Sequence, residues 1–403
     1  MNKTEIEQLL SSLPLRYDRE DYDRFIKAAK VRLSAPCINF VGSNGKSSTA
    51  IFLSSIYVEN GYKVGLLKNL YVESSLACIS INGESIAEED FSRLYNDKKK
   101  LIEKNELSRW EIISAIAFAY FEEKKVDLAI LESSLGGALD ASYLEDNDQR
   151  LVILTSLTLE HTQYLGTTLS QIALSKISLL GEDSKLLIPE LSEENTKLLR
   201  DYAEEVGSEF YVVDAFHFEK FVDGFYQFHY RPYAEARIKS PAKYLIKDAS
   251  LALEATKLLS VDFPISEEKV LKALANVFIP LTLEKKGNDI FDMASNPEAA
   301  EDLVGSFSTV MDKPVHFLFA SKREANIASI LPFLSNYCES AIITSCPLPN
   351  MRHEEGYFFY VEDYEYIDDP MEAYAKMREA HPEDYILITG SSDFVRYMKG
   401  KLS

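Results

Sequence analysis

Short uninterrupted apolar runs alternate along the chain with longer stretches in which apolar residues return every three or four positions. The first pattern is that of buried strands and the second that of amphipathic helices. Their alternation predicts an α/β fold with a mostly parallel sheet. Cys37–Val41 reads as a strand, GSNGKSS follows it, and a helix runs from about Ser47 to Asn60. Strands at Lys63–Leu67, Val126–Leu131 and Leu151–Leu157 and a helix over Leu169–Leu180 continue the rhythm. Asn82-Gly83 inside Ile79–Ile86 predicts a hairpin turn. Ser108-Arg109-Trp110-Glu111 predicts a capping box that opens a helix reaching Lys124. Lys185 to Pro264 is less regular, with strand-like pieces at Phe210–Val213 and Phe225–Tyr230 and a helix near Lys247–Leu259. After a helix over Ser266–Val277, the runs Ile290–Met293, Val315–Ala320, Ala341–Thr344, Tyr357–Val361 and Tyr385–Thr389 read as the strands of a second α/β block. A chain of 403 residues is long for one core, so two domains are expected, 1–279 and 280–403, with the boundary near Pro280.

Composition narrows the function classes. Apolar residues make up 46% and charged residues 27%, the balance of a globular protein. A net charge of −21 repels phosphate backbones and anionic lipid, so neither nucleic acid nor membrane is expected as a partner. The four cysteines, Cys37, Cys78, Cys338 and Cys346, contain no CxxC pair, which argues against a disulfide scaffold or a zinc ribbon. MNKTEIEQLLSSL has no apolar core of a signal peptide, and no run approaches the ~20 apolar residues of a membrane span. A cytoplasmic protein is expected.

The sharpest chemical signal is Gly42-Ser43-Asn44-Gly45-Lys46-Ser47-Ser48 between a strand and a helix. Glycines let successive backbone N–H groups face a phosphate, and the helix terminus and lysine add positive charge. A hydroxyl just after the lysine can ligate Mg²⁺. The spacing is the short GxxGK form, because Phe40 stands five positions before Gly45. Glu132 ends the Val126–Leu131 run, where a carboxylate beside a phosphate loop suits Mg²⁺, though it could equally cap the strand and pair with a lysine. Asp140 closes the following SSLGGALD stretch and reads either as part of the site or as a turn residue. His161, the first histidine of the chain, follows the Leu151–Leu157 run and could bind metal or simply pack. Lys176 sits on the next helix among Ile172, Ala173, Ile177 and Leu180, a place from which lysine can snorkel.

Taken in order, GSNGKSS, ISING, WEIISAIAFAYF, VDLAILESSLGGALDA, LVILTSLTLEHTQYLGTTLSQIALSK and, more weakly, DMASNP resemble the folylpolyglutamate synthase and dihydrofolate synthase family within the Mur ligase superfamily. The likeness spans about residues 35 to 300. It implies a P-loop Mur-ligase-type domain followed by a smaller Rossmann-like domain. It implies a ligase in which ATP phosphorylates a carboxylate of reduced folate or dihydropteroate and L-glutamate's amine displaces the phosphate, in a monomer. The family's roles fall on Gly42, Ser43, Asn44, Gly45, Lys46, Ser47 and Ser48 for the phosphates, on Ser48 and Glu132 for a first Mg²⁺ and on His161 for a second. Lys176 matches a lysine that the family carbamylates. Lys46, His161 and Lys176 would be the catalytic residues. Asp292 and Asn296 would reach the nucleotide from the C-terminal domain.

The chain also departs from the family pattern. Ser47 replaces a loop glycine, Asn69-Leu70-Tyr71-Val72 replaces the folate-side SPHL, and Ala138 replaces an arginine. Glu160 replaces an aspartate, Ser175 replaces a glutamate, and Tyr244-Leu245-Ile246-Lys247-Asp248-Ala249 stands for HQxxNA. Pro280-Leu281-Thr282 lacks the WPGR arginine, and Ser295 replaces the histidine of DGAHNP. Loss of one transition-state cation or donor typically costs about 3 kcal/mol, so several losses can silence the chemistry unless Lys285, Lys286 or Arg323 substitutes. Two further readings follow: a ligase of this type acting on a non-folate substrate, and a nucleotide-binding, catalytically impaired paralogue.

Overall fold

The computed structural model describes residues 1–13, 19–69, 74–357 and 364–402. It divides into two compact units. The first comprises Met1–Glu219, Phe228–Ile238 and Ile246–Val277, and the second Lys220–Gln227, Lys239–Leu245 and Phe278–Ser403.

The first unit is built on an eight-stranded sheet. Its strands in chain order are β1 (Cys37–Val41), β2 (Val64–Leu67), β3 (Ile79–Ile81), β4 (Glu84–Ser85), β5 (Leu128–Glu132), β6 (Gln149–Leu154), β7 (Lys185–Ile188) and β8 (Glu209–Val212). Their spatial order is β4-β3-β2-β5-β1-β6-β7-β8. All neighbours are parallel except β2–β3 and β3–β4. Every residue of β1, β2 and β5 is buried, as expected of parallel strands covered on both faces. The Asn82-Gly83 turn does join β3 to β4, with φ of 51° and 84° at its two central residues. The N–H and Oγ of Ser108 both donate to Glu111, each at 2.7 Å, which starts the Arg109–Lys124 helix. Phe118 of that helix is fully buried in the core.

Three further strands follow, β9 (His217–Val222), β10 (Phe225–Tyr230) and β11 (Tyr233–Ile238), paired in the order β11-β10-β9. The second unit carries β12 (Glu284–Lys286), β13 (Asp289–Phe291), β14 (Val315–Ala320), β15 (Ser340–Thr344), β16 (Glu365–Ile367) and β17 (Tyr385–Gly390). They form a six-stranded sheet in the order β12-β13-β17-β14-β15-β16, parallel except at β12. The run Tyr357–Val361, read as a strand, lies outside the described residues beyond Tyr357, which is itself in a short 3₁₀ turn. No helix among the described residues is long and apolar enough to cross a membrane. All four cysteines are free.

The turn after β5 is set by one buried carboxylate. Asp140 accepts from the N–H groups of Leu135 (2.7 Å), Gly136 (3.1 Å) and Ser142 (2.9 Å) and from Trp110 Nε1 (3.0 Å). Gly136 and Gly137 have φ of 109° and 78°, and a Cβ at Gly137 would stand 2.0 Å from the Ser175 carbonyl oxygen. Asp140 is therefore the organiser of a tight turn, one of the two roles its sequence position allowed. Asp140→Ala strands several buried donors. The variant is expected to lose roughly 3 kcal/mol of stability, read as a lower Tm with the helix content of the remaining fold retained.

Candidate active site

Strands β5, β1 and β6 are neighbours, so the loops that leave their carboxyl ends meet. This is where open α/β sheets hold ligands. The phosphate loop follows β1. Gly42 (φ 140°) and Gly45 (φ 78°) hold backbone conformations that suit glycine, and each lacks room for a side chain. A Cβ at Gly42 would lie 2.2 Å from Thr155 Oγ1, and one at Gly45 would lie 2.4 Å from Asp248 Oδ1. The β6 loop clips the phosphate loop in place. Ser156 Oγ accepts from Asn44 N at 2.7 Å, Thr155 Oγ1 donates to Asn44 O at 2.6 Å, and Ser43 Oγ accepts from Thr158 N at 3.1 Å. Lys46 begins the Lys46–Glu59 helix and folds back over its own loop, donating to the carbonyls of Gly42 (2.7 Å) and Ser43 (3.0 Å).

The carboxylates arrive differently from the sequence expectation. Ser48 and Glu132 were expected to share a metal, yet the hydroxyl on Glu132 is that of Ser47, at 2.6 Å. Asn69 N donates to the same Glu132 oxygen at 3.0 Å. Ser48 instead donates to Asp248 Oδ2 at 2.5 Å and to Gly45 O at 3.1 Å. Burial raises the Glu132 pKa, while Lys46, Ser47, Asn69 and Lys68 act in the opposite direction. Asp248, on the Leu245–Leu258 helix, was not singled out as a site residue. Its only sequence signal was its place in the YLIKDA segment.

Lys176 does not snorkel. It is fully buried, and its ammonium donates to Gly42 O (3.0 Å), Leu135 O (3.5 Å) and Glu160 Oε1 (2.9 Å). Burial lowers its pKa, against the pull of Glu160. Burial alone would push Glu160 up, but Lys176, Lys46 and His161 outweigh it and hold Glu160 at about 2. His161 takes a left-handed conformation (φ 48°) at the start of the Thr162–Leu165 turn, beside Glu160.

A guanidinium does reach the turn where Ala138 replaces the family arginine, but it comes from Arg19. Its N–H groups are committed to the carbonyls of Ala138 (2.6 Å), Asp140 (2.6 Å) and Tyr143 (2.7 Å). In the second unit, Asp292 is buried after β13 and accepts from Tyr244 OH (2.6 Å) and Leu283 N (2.9 Å); burial raises its pKa to about 7. Asn296 caps the Pro297–Val304 helix through Ala299 N at 2.9 Å. Lys285 lies against the Tyr385 ring and bonds its hydroxyl, and Lys286 donates to Leu402 O, so both have local employment. Tyr71 lies outside the described residues.

No protein-family model matches the chain. The dihydrofolate synthase/folylpolyglutamate synthase of Bacillus subtilis is 28% identical over 348 residues, covering 77% of this chain and 80% of the relative. A folylpolyglutamate synthase crystal structure from Thermotoga maritima superposes with a TM-score of 0.82 at 26% identity, covering 99% and 96% of the two chains. These likenesses point to the dihydrofolate synthase/folylpolyglutamate synthases as the proteins this chain is similar to. An FPGS–AMPPCP–folate complex superposes with a TM-score of 0.87 at 20% identity over the full length of both chains, which extends the shared Mur ligase fold to the whole molecule.

The donors fit a hard cation. Glu132, Glu160, Asp248 and the Ser47 and Ser48 hydroxyls all offer oxygen, beside a loop shaped for phosphate. Two outcomes follow. Glu160→Gln leaves the Lys176 ammonium buried without its counter-ion and is expected to destabilise the protein by about 3 kcal/mol at neutral pH, with Lys176→Met in the same chain restoring much of it. Because the Glu160 pKa is depressed, that stabilisation is present above pH ~4.5 and fades as pH falls toward about 2, so the gap between parent and Glu160→Gln in chemical denaturation should close over that range. Ser47→Gly frees the Glu132 carboxylate and is expected to lower the Mg²⁺ concentration needed for half-maximal nucleotide binding, measured by calorimetry.

Proposed function

We propose that the protein is an ATP-dependent amide ligase that adds L-glutamate to a folate, reduced folate or dihydropteroate, through an acyl-phosphate intermediate. The observation that carries this reading is the meeting of the phosphate loop, Glu132 and the Glu160–Lys176 pair at adjacent strand ends. The family likeness supplies the reaction class.

Each residue has a physical task in this reading. The N–H groups of Gly45 and Lys46 bind triphosphate oxygens while Ser43 and Asn44 hold the loop against Ser156, and the Lys46 ammonium moves its donors from the Gly42 and Ser43 carbonyls to the phosphates. Glu132, with Ser47 or Ser48, holds one Mg²⁺, and His161 with Glu160 holds a second. Bound Mg²⁺ supplies neutralisation of the charge on the transferring phosphoryl group. Lys176 fixes the Gly42 carbonyl and Glu160. Its lowered pKa favours the neutral amine that takes up CO₂. A carbamate there would set a second anion against Glu160, so it fits only with a divalent cation between them. We assign residues 1–279 to the ATP-binding domain and 280–403 to the ligase domain, with Asp292 and Asn296 as its nucleotide contacts. In this reading the protein is a cytoplasmic monomer that uses small-molecule substrates and neither nucleic acid nor membrane.

The test is phosphate release from ATP and Mg²⁺ with glutamate, comparing reduced folates, dihydropteroate and no acceptor. Release that needs both glutamate and a pterin acceptor is expected, with loss of ATP binding in Lys46→Ala. ATP bound but no acceptor-dependent release would move the assignment to a non-folate substrate or an impaired paralogue. Unchanged ATP affinity in Lys46→Ala would remove the phosphate-loop assignment itself.

A further inference from the structure

Outside the candidate active site, one group of side chains in the second unit has the composition of a metal centre. His316 is the second residue of β14, His381 ends the Pro370–Ala380 helix, and Asp384 directly precedes β17. One ligand atom from each lies within 4.8 Å of the other two. The two imidazole nitrogens turn toward the same carboxylate oxygen. His316 Nε2 is 3.2 Å from Asp384 Oδ2, and His381 Nδ1 is 3.7 Å from it.

We propose that His316, His381 and Asp384 form a binding site for a first-row transition-metal dication, with Zn²⁺ as its occupant. Two imidazoles and one carboxylate are a donor set for Zn²⁺ and its neighbours, whereas Mg²⁺ and Ca²⁺ take oxygen. Ligands ~2.1 Å from a tetrahedral ion stand about 3.4 Å apart, so the observed donor separations need to change by only tenths of an ångström about Oδ2.

The surroundings hold the ligands in place. Ser340 Oγ lies 2.8 Å from His316 Nδ1, the second-sphere partner that fixes a ligating ring. The His316 and His381 rings stack with centroids 3.5 Å apart and 17° between their planes, so closing both nitrogens on one ion requires the more exposed His381 to turn out of the stack. Arg378 ties the ligand turn by donating to the carbonyls of His381 (2.9 Å) and Asp384 (2.8 Å), and its charge is met by Asp289 at 2.8 Å. His316 is buried while Asp384 and His381 remain 29% and 31% exposed, so an ion can enter from solvent. Three protein ligands leave a fourth position for water.

The site stands apart from the proposed nucleotide chemistry. His316 and Asp384 lie at the amino-terminal ends of parallel β14 and β17, and Asp292 follows the carboxyl end of β13, which is parallel to β17. A metal here would staple the start of two central strands to the end of a helix.

The experiment uses the full chain, freed of metal by chelator and kept in excess Mg²⁺. Zn²⁺ is titrated by equilibrium dialysis, and Co²⁺ is followed by its d–d absorption. The expected result is one tight Zn²⁺ per chain with nitrogen-type Co²⁺ absorption. His381→Ala and Asp384→Asn, whose folding is checked by circular dichroism, should each weaken binding about tenfold or more while ATP affinity is unchanged. No Zn²⁺ uptake at micromolar concentration overturns the proposal, as does uptake equal to the parent in both variants. The three side chains would then be a hydrogen-bonded clasp only.

Discussion

One buried ammonium ties the first unit's functional loops together. Lys176 Nζ reaches the Gly42 carbonyl of the phosphate loop, the Leu135 carbonyl of the turn after β5 and the Glu160 carboxylate of the loop after β6. A buried charge is expensive unless it is paired and hydrogen-bonded, so those three partners cannot drift apart without leaving the charge exposed to an apolar interior. The Asp140 turn and the Thr155–Ser156 clip are built around the same point, and both bring backbone into places where only glycine fits.

The charges around the Gly42–Lys46 loop are unevenly compensated. Lys46 and Lys176 share the Gly42 carbonyl, and the Lys46 charge adds to the cost of charging the buried Lys176. Glu160 is held ionised by the lysines, while Glu132, deeper and less compensated, has a raised pKa.

The departures from the family pattern are not all of one kind. Ser47 adds a hydroxyl that occupies Glu132, so it changes the surroundings of that carboxylate directly. Ala138 removes an arginine, and Arg19 fills the turn but directs its donors at carbonyls instead of at a ligand. Asp248 brings a carboxylate to the phosphate loop through Ser48. These are local changes of chemistry on an unchanged scaffold, because the scaffold rests on buried strands and on the lysine anchor.

The sequence by itself determined most strands of the two sheets and the glycine–lysine loop between β1 and its helix, and it pointed to the family likeness. Continuous apolar runs, glycines before a lysine and a capping box are local signals, and local signals survive in a linear chain. Exposed β9, with its mostly solvent-facing residues, and charged β12 carried no such signal and went unread, and β7, β11 and β16 also went unread. Only the tertiary structure decided which hydroxyl meets Glu132, that Lys176 is buried instead of snorkelling, that Asp248 joins the phosphate loop and that His316, His381 and Asp384 converge. Each of these is a contact between residues far apart in sequence. Burial and pairing of charge depend on what the fold brings to the other side, which no periodicity records.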